Sequence, residues 1–593
     1  MIPFRSMNLS AAERWEAHAR AWRWPIWAAT GLIALALAWI SRFVQDDAFI
    51  SFVYARNLVN GEGLTWFGTR VEGYTNFLWT IWIAAGLKAG VEPVAWAHLG
   101  SMLSFVLVLT GLWRLARSLF GTYLPALLSV ILLSTNYTVL AYATGGLETM
   151  TQAALLTWSA VLCERLRKAC PAGAAPCAPK ASPAPAALAL SGPLTLSVPL
   201  ALSLLLALAC LTRPDSALPA AILGAFALWQ AVRLSRGDGD ARSGARAIGP
   251  LIALALPFLV LMGGYALWKV GFYGRLLPNA YYAKLGDGMY LAGNGLLYLW
   301  RFLHAYLLWP VLAAGLAGLW LRRRHLDRRL LGALALYAVI VLAWLAYIVA
   351  AGGDFMEFRM LVPVAPFLFL LVAYLVWFVL GEAWMRRPLV AALASLLLLG
   401  SASLHHARSF TGMTGDEALD SIHTLGTFYG RYPDGDWTRL GRYLKRNLEH
   451  TDAVLATTAA GAIPFYSDLR TIDQWGLNDL EIPRHGNRAE GARRPGHRRH
   501  ATLSYLRAQG VNLIIGHPQI VKQGQLSKAQ DARALGRWLM NLVRYNREPL
   551  GEATVVAMPL DRGEALLMWY LTPSPAIDRA IERQGWESAV VSF

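Results

Sequence analysis

The stretch VQDDAFISFVYARNLVNGEGLTWFGTRVEGYTNFLW, residues 44–79, directly follows the apolar run PIWAATGLIALALAWI, residues 25–40. Arginines precede this run and no small-residue cleavage site follows it, which is typical of a signal anchor rather than a cleaved signal peptide. Two adjacent carboxylates, Asp46 and Asp47, therefore lie at the edge of a membrane. Charges at this depth are costly and usually face a cavity or bind a ligand, so the pair is a candidate functional site.

The composition indicates a polytopic α-helical membrane protein. Of the 593 residues, 56% are hydrophobic and only 15% are charged, whereas a soluble domain carries about 25% charged residues. The net charge of +17 is expected on cytoplasmic loops, and no nucleic-acid-binding motif accompanies it, so we predict no nucleic-acid partner. Four cysteines match no zinc pattern and are predicted to be free thiols. They are Cys163, Cys170, Cys177 and Cys210.

Basic loops predict the topology, because lysine and arginine collect on the cytoplasmic side. Five such loops lie at 114–118, 164–170, 233–246, 322–329 and 385–388. If all of them face the cytoplasm with the N-terminus, an even number of spans separates neighbouring loops. About eleven spans satisfy this condition and leave the C-terminal region outside. They are 25–41, 95–113, 120–141, 148–163, 194–211, 215–232, 249–270, 296–320, 330–350, 361–381 and 389–404.

The pattern predicts two domains: a transmembrane domain at 1–404 and a periplasmic α/β domain at 405–593. Within the first domain, 41–94 forms the first periplasmic loop with juxtamembrane helices. In that loop 75–87 is too short to span, so we predict an interfacial or half-buried helix with Trp79 and Trp82 at headgroup level.

Low-complexity Ala/Pro sequence at 171–193 predicts a flexible cytoplasmic linker. After residue 405, the segment at 452–473 predicts strand, helix and strand. Further strands are predicted at 511–518, 553–560 and 565–572.

Polar groups collect at the outer ends of the predicted spans, where the charge rule predicts few basic residues. Arginine and lysine there suit a lipid phosphate, and a carboxylate suits removal of a proton from an acceptor hydroxyl. Candidate ligands of a donor phosphate are Arg56, Arg213, Arg275, Lys284 and Arg359. Further candidate pocket residues are Glu72, Tyr74, Glu148, Asp215, Asn279, Tyr282 and Asp354.

Each of these groups also has a purely structural interpretation. Asp46 or Asp47 could cap the following helix. Asp215 could stabilise a helix start in RPD, and Glu148 could serve in a first turn. Arg359 could form an ion pair with Asp354 or Glu357. Arg275 and Lys284 could extend to lipid headgroups. The occurrence of all these groups on one face favours a site.

The segment DDAFISFVYARNLVNGEGLTWFGTRVEGYTNFLW resembles the first outer loop of GT-C class glycosyltransferases, which use polyprenyl-phosphate sugars. The closest resemblance is to the family of the terminal β-(1→2)-arabinofuranosyltransferase. Five later motifs agree with it: YATGGLET at 142–149, RPDS at 213–216, GRLLPNAYYAK at 274–284, GGDFMEFRMLVP at 352–363 and TIDQWGLNDLEIPR at 471–484.

The resemblance covers about residues 25 to 520. It implies a helical membrane bundle with a C-terminal soluble domain over the active-site cavity. It also implies that Asp46 and Asp47 supply the catalytic base, in agreement with the interpretation from the residues, and that Asn478 and Asp479 border the acceptor.

We therefore expect an inner-membrane glycosyltransferase that moves D-arabinofuranose from a polyprenyl phosphate to a hydroxyl of a periplasmic or cell-surface glycan or glycoprotein. An inverting displacement with an aspartate base requires no cofactor, although an acidic cluster could hold a divalent metal. The alternative is a transporter or flippase of a lipid-linked sugar. Paired repeats or broken helices at mid-membrane would favour that alternative, but the sequence shows neither, and the polar groups cluster at one face.

Overall fold

The computed structural model describes residues 11–169, 194–236, 242–284, 288–325, 327–386, 400, 402–404, 406, 419–428, 436–489, 498–528 and 545–592. The predicted linker at 171–193 and most of the predicted span at 389–404 lie outside these residues. Cys170 and Cys177 also lie outside them, whereas Cys163 and Cys210 are buried free thiols as predicted.

Helices make up the N-terminal two-thirds of the described chain. The first seven are α1 (Ala11–Ile40), α2 (Asp46–Val59), α3 (Phe77–Lys88), α4 (Pro93–Phe120), α5 (Leu124–Ser134), α6 (Tyr137–Tyr142) and α7 (Thr149–Ala169). The next eight are α8 (Leu194–Thr212), α9 (Ala217–Arg236), α10 (Arg242–Tyr273), α11 (Asn279–Lys284), α12 (Gly288–Ala305), α13 (Leu308–Leu321), α14 (Arg328–Ala351) and α15 (Ala365–Arg386). Ten of the predicted spans coincide with these helices.

The predicted count of eleven membrane spans stays a prediction, because most of the segment at 389–404 lies outside the described residues. Among the described residues six helices are long and apolar enough to cross a bilayer, or seven if a bent pair is one span. The predicted span at 296–320 is this pair, in which α12 and α13 meet at 85°. The predicted span at 120–141 is divided between α5 and α6, because the polar residues Thr135 and Asn136 end one helix and begin the next.

The first loop is folded rather than extended. It contains α2, a short turn region and α3, and its side chains form a small core of Ile50, Val53, Tyr54, Leu64, Trp66, Val71 and Tyr74. The short helix predicted at 75–87 is present as α3. Trp79, however, is only 3% exposed and donates to the Gly146 carbonyl at 3.1 Å, so its ring packs inside the protein, and its depth at headgroup level stays a prediction. Its indole N–H satisfies a buried carbonyl of the neighbouring turn.

The C-terminal region is an α/β domain, as predicted. Its helices are α16 (Ile422–Phe428), α17 (Asp436–Leu448), α18 (Ala462–Ser467), α19 (Ile482–His485), α20 (Leu503–Ala508), α21 (Gln525–Lys528) and α22 (Pro575–Gln584). Its strands are β1 (Leu455–Thr457), β2 (Thr471–Asp473), β3 (Asn487–Arg488), β4 (Arg499–His500), β5 (Leu513–Lys522), β6 (Glu552–Pro559), β7 (Glu564–Tyr570) and β8 (Glu587–Ser592).

Six of these strands form one mixed sheet in the order β2-β1-β5-β7-β6-β8. The first three strands in that order are parallel, and the others are antiparallel. One face of the sheet shares a hydrophobic core with the helical bundle, through residues such as Leu444, Leu513 and Val556. The opposite face has its own core, which includes Ile514, Val555 and Trp569. The bundle and the sheet domain are therefore packed directly against each other.

Polar contacts add to this packing at the first loop. Trp66 donates its indole N–H to the Thr471 carbonyl at 2.8 Å. Arg56 pairs with Asp468 at 2.9 Å and donates to the Phe465 carbonyl. The loop thus fixes β2 and the end of α18 above the bundle.

Candidate functional site

The two carboxylates of the first loop differ in their surroundings. Both belong to the first turn of α2, but Gln45 is the N-cap and no side chain caps the helix. Asp46 instead accepts hydrogen bonds from the backbone N–H groups of Gly461, at 3.0 Å, and Ala462, at 2.7 Å. Asp46 therefore accepts the backbone N–H groups at the start of α18, which belongs to the C-terminal domain. The sequence of α2 alone could not reveal this contact.

Burial at this contact changes the acidity of Asp46, which is 6% exposed. Burial raises its pKa from 3.8 to about 7, and the nearby Asp47 also raises it. The N–H groups of Ala462 and Gly461 act in the opposite direction. Gly461 lies so close that a Cβ there would be 2.0 Å from the Asp46 carbonyl oxygen.

Asp46 and Asp47 line a cavity of about 150 Å³ between the bundle and the C-terminal domain. Six segments of the bundle and two of the C-terminal domain enclose it. The bundle provides Asp46, Asp47, Ile50, Ser51, Gly73, Tyr74, Thr75, Asn76, Leu147, Glu148, Arg213, Ala280, Ala283, Phe355 and Arg359. The C-terminal domain provides Thr458, Ala460, Asp473, Trp475 and Leu477.

Arg213 is held in this cavity by two carboxylates. Its Nη1 lies 2.7 Å from Glu148, and its Nη2 lies 2.9 Å from Asp215. Asn76 donates to the second oxygen of Glu148 at 2.6 Å, and Gln152 donates to Asp215 at 2.7 Å. Motifs from three separate loops thus form one hydrogen-bonded network that fixes the direction of the guanidinium.

Arg359 is the second guanidinium that lines the cavity. It donates through Nε and Nη2 to one oxygen of Asp354, at 2.7 and 2.6 Å. This is the ion pair that the sequence offered as a structural interpretation. Glu357, the other partner considered, instead contacts His406 at 2.5 Å and the Ile422 N–H at 2.7 Å. Arg359 therefore combines a structural ion pair with a position at the cavity wall.

The C-terminal domain presents the carboxyl ends of two parallel strands to the cavity. Thr458 follows β1, and Asp473 ends β2. Ligands commonly bind beyond the carboxyl ends of parallel strands. Asp473 accepts from the N–H groups of Trp475 and Asn478, both at 3.0 Å. Burial nevertheless raises the pKa of Asp473 to about 6, with the N–H groups of Asn478 and Trp475 acting against this shift.

Asn279 and Asn478 do not line the cavity, but they hold the loop next to it in position. The Asn279 amide donates to the carbonyls of Gly476, Leu477 and Asp479 at 2.7–3.0 Å. Asn478 accepts from the Tyr54 hydroxyl at 3.1 Å. These bonds hold the loop at 476–479 against α11 and the first loop.

Asp479 is directed away from the cavity. Its Oδ1 accepts from the N–H groups of Glu481 and Ile482, where α19 begins, and its Oδ2 accepts from the Tyr505 hydroxyl. The carboxylate thus stabilises the local fold of the C-terminal domain, and the cavity wall does not include it.

Several other predicted pocket residues also lie outside the cavity wall. Glu72 forms a buried ion pair with Lys269 of α10 at 2.8 Å. Arg275 lies 5.8 Å from the centre of the Tyr282 ring. Arg56 is engaged with Asp468, as given above. Of Lys284 only the backbone, at the end of α11, is described.

Tyr74 does line the cavity, and its hydroxyl lies 3.2 Å from that of Tyr273. Sequence reasoning missed five polar residues of the wall: Ser51, Thr75, Asn76, Thr458 and Asp473. Asp473 and Trp475 lie within the motif at 471–484. The sequence therefore pointed to the correct segment, but the prediction named Asn478 and Asp479 instead of these two residues.

No metal site is assigned among the described residues of this cavity. Among the described residues no group of three or more His, Cys, Asp or Glu side chains is arranged to hold one. The oxygens of Asp46 and Asp473 accept backbone N–H groups, and those of Glu148 accept from Asn76 and Arg213. We therefore assign no metal-dependent step to this cavity.

Fold and cavity together define the chain as a membrane protein with the GT-C fold. The archaeal oligosaccharyltransferase AglB from Archaeoglobus fulgidus, solved with an inhibitory peptide and a dolichol-phosphate, matches 91% of this chain and 73% of that chain with a TM-score of 0.52. A structure of the Archaeoglobus fulgidus oligosaccharyltransferase with Zn and sulfate matches 92% and 73% with a TM-score of 0.50. Sequence identity is 11% in both cases, so these matches establish the fold alone.

The sequence itself is similar to a terminal beta-(1->2)-arabinofuranosyltransferase of Corynebacterium glutamicum, with 28% identity over 350 residues. The match covers 56% of this chain and 48% of the relative, so it spans about half of the relative's length. The resemblance predicted from the motifs is thereby confirmed. Residues 429–557 match a family described as a domain of unknown function (DUF8728).

Proposed function

We propose that the protein is a membrane glycosyltransferase that moves a sugar, preferentially D-arabinofuranose, from a polyprenyl phosphate to a hydroxyl of a glycan or glycoprotein acceptor. The observation that carries the proposal is the cavity itself, where Asp47 shares one wall with Arg213 and Arg359 inside a GT-C fold. The named activity of the Corynebacterium glutamicum relative supports the choice of sugar.

The reaction is a single inverting displacement. The acceptor oxygen attacks the anomeric carbon, its proton passes to an aspartate, and the bond from that carbon to the phosphate oxygen breaks. The electron pair of this bond leaves with the polyprenyl phosphate. A positioned carboxylate base contributes about 10²–10⁴ to such a rate, and cations near the departing phosphate stabilise its charge.

Asp47 is the better base of the two adjacent carboxylates. It is half-buried and lines the cavity, whereas both oxygens of Asp46 accept backbone N–H groups of α18. Asp46 then has a positioning role: it holds α18 and the following C-terminal segments over the cavity. The two neighbours are therefore functionally unequal.

Arg213 and Arg359 are the cations proposed to receive the donor phosphate. Each arginine already pairs with carboxylates. A bound phosphate would therefore share the guanidinium N–H groups with Asp215 or Asp354. Arg275 and Lys284 belong to the segment before and within α11, which borders the same cavity through Ala280 and Ala283.

The acceptor is proposed to enter from the side of the C-terminal domain. Asp473 and Thr458 offer polar atoms at the ends of β2 and β1, and Trp475 offers a partly exposed aromatic ring beside them. A ring and nearby hydrogen-bonding groups match a ligand with alternating apolar and hydroxyl surfaces, such as a sugar. With the basic loops on the cytoplasmic side, this cavity faces the periplasm of the inner membrane.

The test is sugar transfer by purified protein in detergent, where no sealed bilayer supports transport. A panel of radiolabelled polyprenyl-phosphate sugars identifies the donor, and the anomeric configuration of the product reports inversion. Asp47→Asn should reduce turnover by about 10²–10⁴. Glu62→Gln, which changes an exposed carboxylate of the same loop, is the matched control and should retain wild-type turnover. A folded Asp47→Asn protein within a few-fold of wild type would overturn the assignment.

A further inference from the structure

A second cavity of about 450 Å³ lies at the other end of the bundle. Glu148, directly before α7, lines the first cavity, and Glu164, near the end of α7, lines the second. At 1.5 Å per residue, about 24 Å of helix separates them, which approaches the bilayer hydrocarbon thickness of about 30 Å. This second cavity therefore lies at the opposite membrane face.

Positive charge dominates its wall. Its lining residues are Arg23, Trp24, Trp113, Arg114, Leu115, Arg117, Ser118, Tyr123, Val161, Glu164 and Arg165. Four of them are arginines and one is a carboxylate. A fifth arginine, Arg20, lies 5.9 Å from the centre of the Tyr123 ring, and Arg23 and Arg117 lie 5.6 and 3.4 Å from the same centre.

Glu164, the carboxylate on this wall, already binds an arginine that does not line the cavity. Glu164 binds Arg167 through both oxygens, at 2.6 and 2.8 Å, and also accepts from Ser118. Within the described residues, no carboxylate forms an ion pair with Arg23, Arg114 or Arg165. These three guanidinium groups could therefore bind an anionic ligand in the cavity.

The wall formed by α1 opens toward lipid. Trp24, which lines the cavity, is 58% exposed, and Leu32 and Ile40 further along α1 are 68% and 76% exposed. Such apolar exposure on a spanning helix suits contact with acyl chains. A ligand with a phosphate headgroup in the cavity could therefore lay its tails along α1.

We infer that this cavity binds the phosphate headgroup of an anionic phospholipid, separately from the proposed transfer site. Basic pockets between helices at one membrane face are suited to such headgroups, and guanidinium groups bind phosphate oxygens in pairs. This site does not depend on the proposed function, because none of its residues lines the first cavity.

Thermal unfolding in a nonionic detergent tests this inference at constant ionic strength. Short-chain phosphatidylglycerol should raise the midpoint temperature of wild type by about 3 °C or more, while phosphatidylcholine of the same chain length should not, because only a bound ligand stabilises the folded state. Arg114→Gln combined with Arg165→Gln should weaken the apparent affinity about tenfold or more. Both side chains are exposed, so folding should survive their replacement.

Arg233→Gln is the matched control. Arg233 is an exposed arginine stacked over Trp229 at 4.1 Å, as Arg114 is stacked over Trp158 at 5.1 Å. This control should respond like wild type.

Three results would overturn the inference: equal responses to the two lipids, a wild-type response of the glutamine variant, or an equal response to inorganic phosphate alone. The last result would identify a soluble-anion site instead.

Discussion

Replacing Gly461 by alanine should separate the C-terminal domain from α2. An alanine Cβ would lie 2.0 Å from the Asp46 carbonyl oxygen and 2.6 Å from its Cγ. Real Cβ contacts are essentially never below 3.0 Å, so the two segments must move apart by roughly 1 Å or more.

That displacement would break the hydrogen bonds to Asp46. The two N–H···O distances of 2.7 and 3.0 Å would exceed 3.5 Å, where a hydrogen bond is lost. Hydrogen bonds to a charged group are worth about 1.5–3 kcal/mol each, and overpacking costs about 1–3 kcal/mol. We expect a loss of roughly 4–9 kcal/mol, which lowers the Tm of the transition that includes the C-terminal domain by roughly 8 °C or more.

A pH series tests whether the loss of stability arises at the contact between Asp46 and α18. Because burial raises the pKa of Asp46 from 3.8 to about 7, the folded state favours the protonated carboxyl. The stabilisation that comes from the protonated Asp46 carboxyl is complete below pH 3.8 and is lost as the pH rises through about 7. This shift in pKa corresponds to at most about 4 kcal/mol of unfolding free energy. Opening the contact hydrates Asp46, so Gly461→Ala should show a weaker decline of Tm between pH 4 and pH 7.

Calorimetry or intrinsic fluorescence in detergent measures both effects, with turnover recorded in parallel. Gly332→Ala is the control, since a Cβ there meets nothing within 4 Å and alanine favours a helix by about 0.5–1 kcal/mol. A Gly461→Ala protein with the Tm and pH dependence of wild type would refute the contact between Asp46 and α18.

Three further outcomes are expected. Asp46→Asn should keep one acceptor oxygen for α18 but no ionisable group, so its Tm should fall less than that of wild type from pH 4 to pH 7 in the same series; an unchanged pH dependence would assign the effect to another group. Asn279→Ala removes three hydrogen bonds to the loop at 476–479, each worth about 0.5–1.5 kcal/mol, and should raise the acceptor KM more than it lowers kcat, which saturation kinetics would show. In a cysteine-free background, an impermeant thiol reagent added outside should label Glu62→Cys but not Arg324→Cys, both exposed positions; the reverse labelling would invert the topology.

Much of the architecture followed from local sequence patterns. Long apolar runs predicted the positions of the helices, since a helix satisfies its own backbone in a membrane and needs only about 20 apolar residues to span. The strand–helix–strand pattern at 452–473 predicted β1, α18 and β2 for a similar reason, because short alternating or apolar segments between turn residues specify strands. The bend between α12 and α13 was missed, as the residues at 296–320 are apolar throughout the break.

Part of the candidate site was also visible in sequence. Asp46, Asp47, Glu148, Arg213 and Arg359 are charged residues at the ends of apolar helices, where an isolated charge is unfavourable. Their type and position alone therefore selected them, and the structure places all five at one cavity. Their catalytic and phosphate-binding roles stay predictions.

The sequence by itself determined that this chain is a polytopic membrane protein with a C-terminal α/β domain and charged groups gathered at one face. Only the tertiary structure decided which charges line the cavity, because that choice depends on partners about 400 residues away. Asp46 contacts Gly461, and Arg56 contacts Asp468, whereas Asp479 is used within its own domain. No local pattern encodes such pairings: each polar group binds whichever complementary group the packed helices and strands bring within about 3 Å, and burial leaves it no water as an alternative.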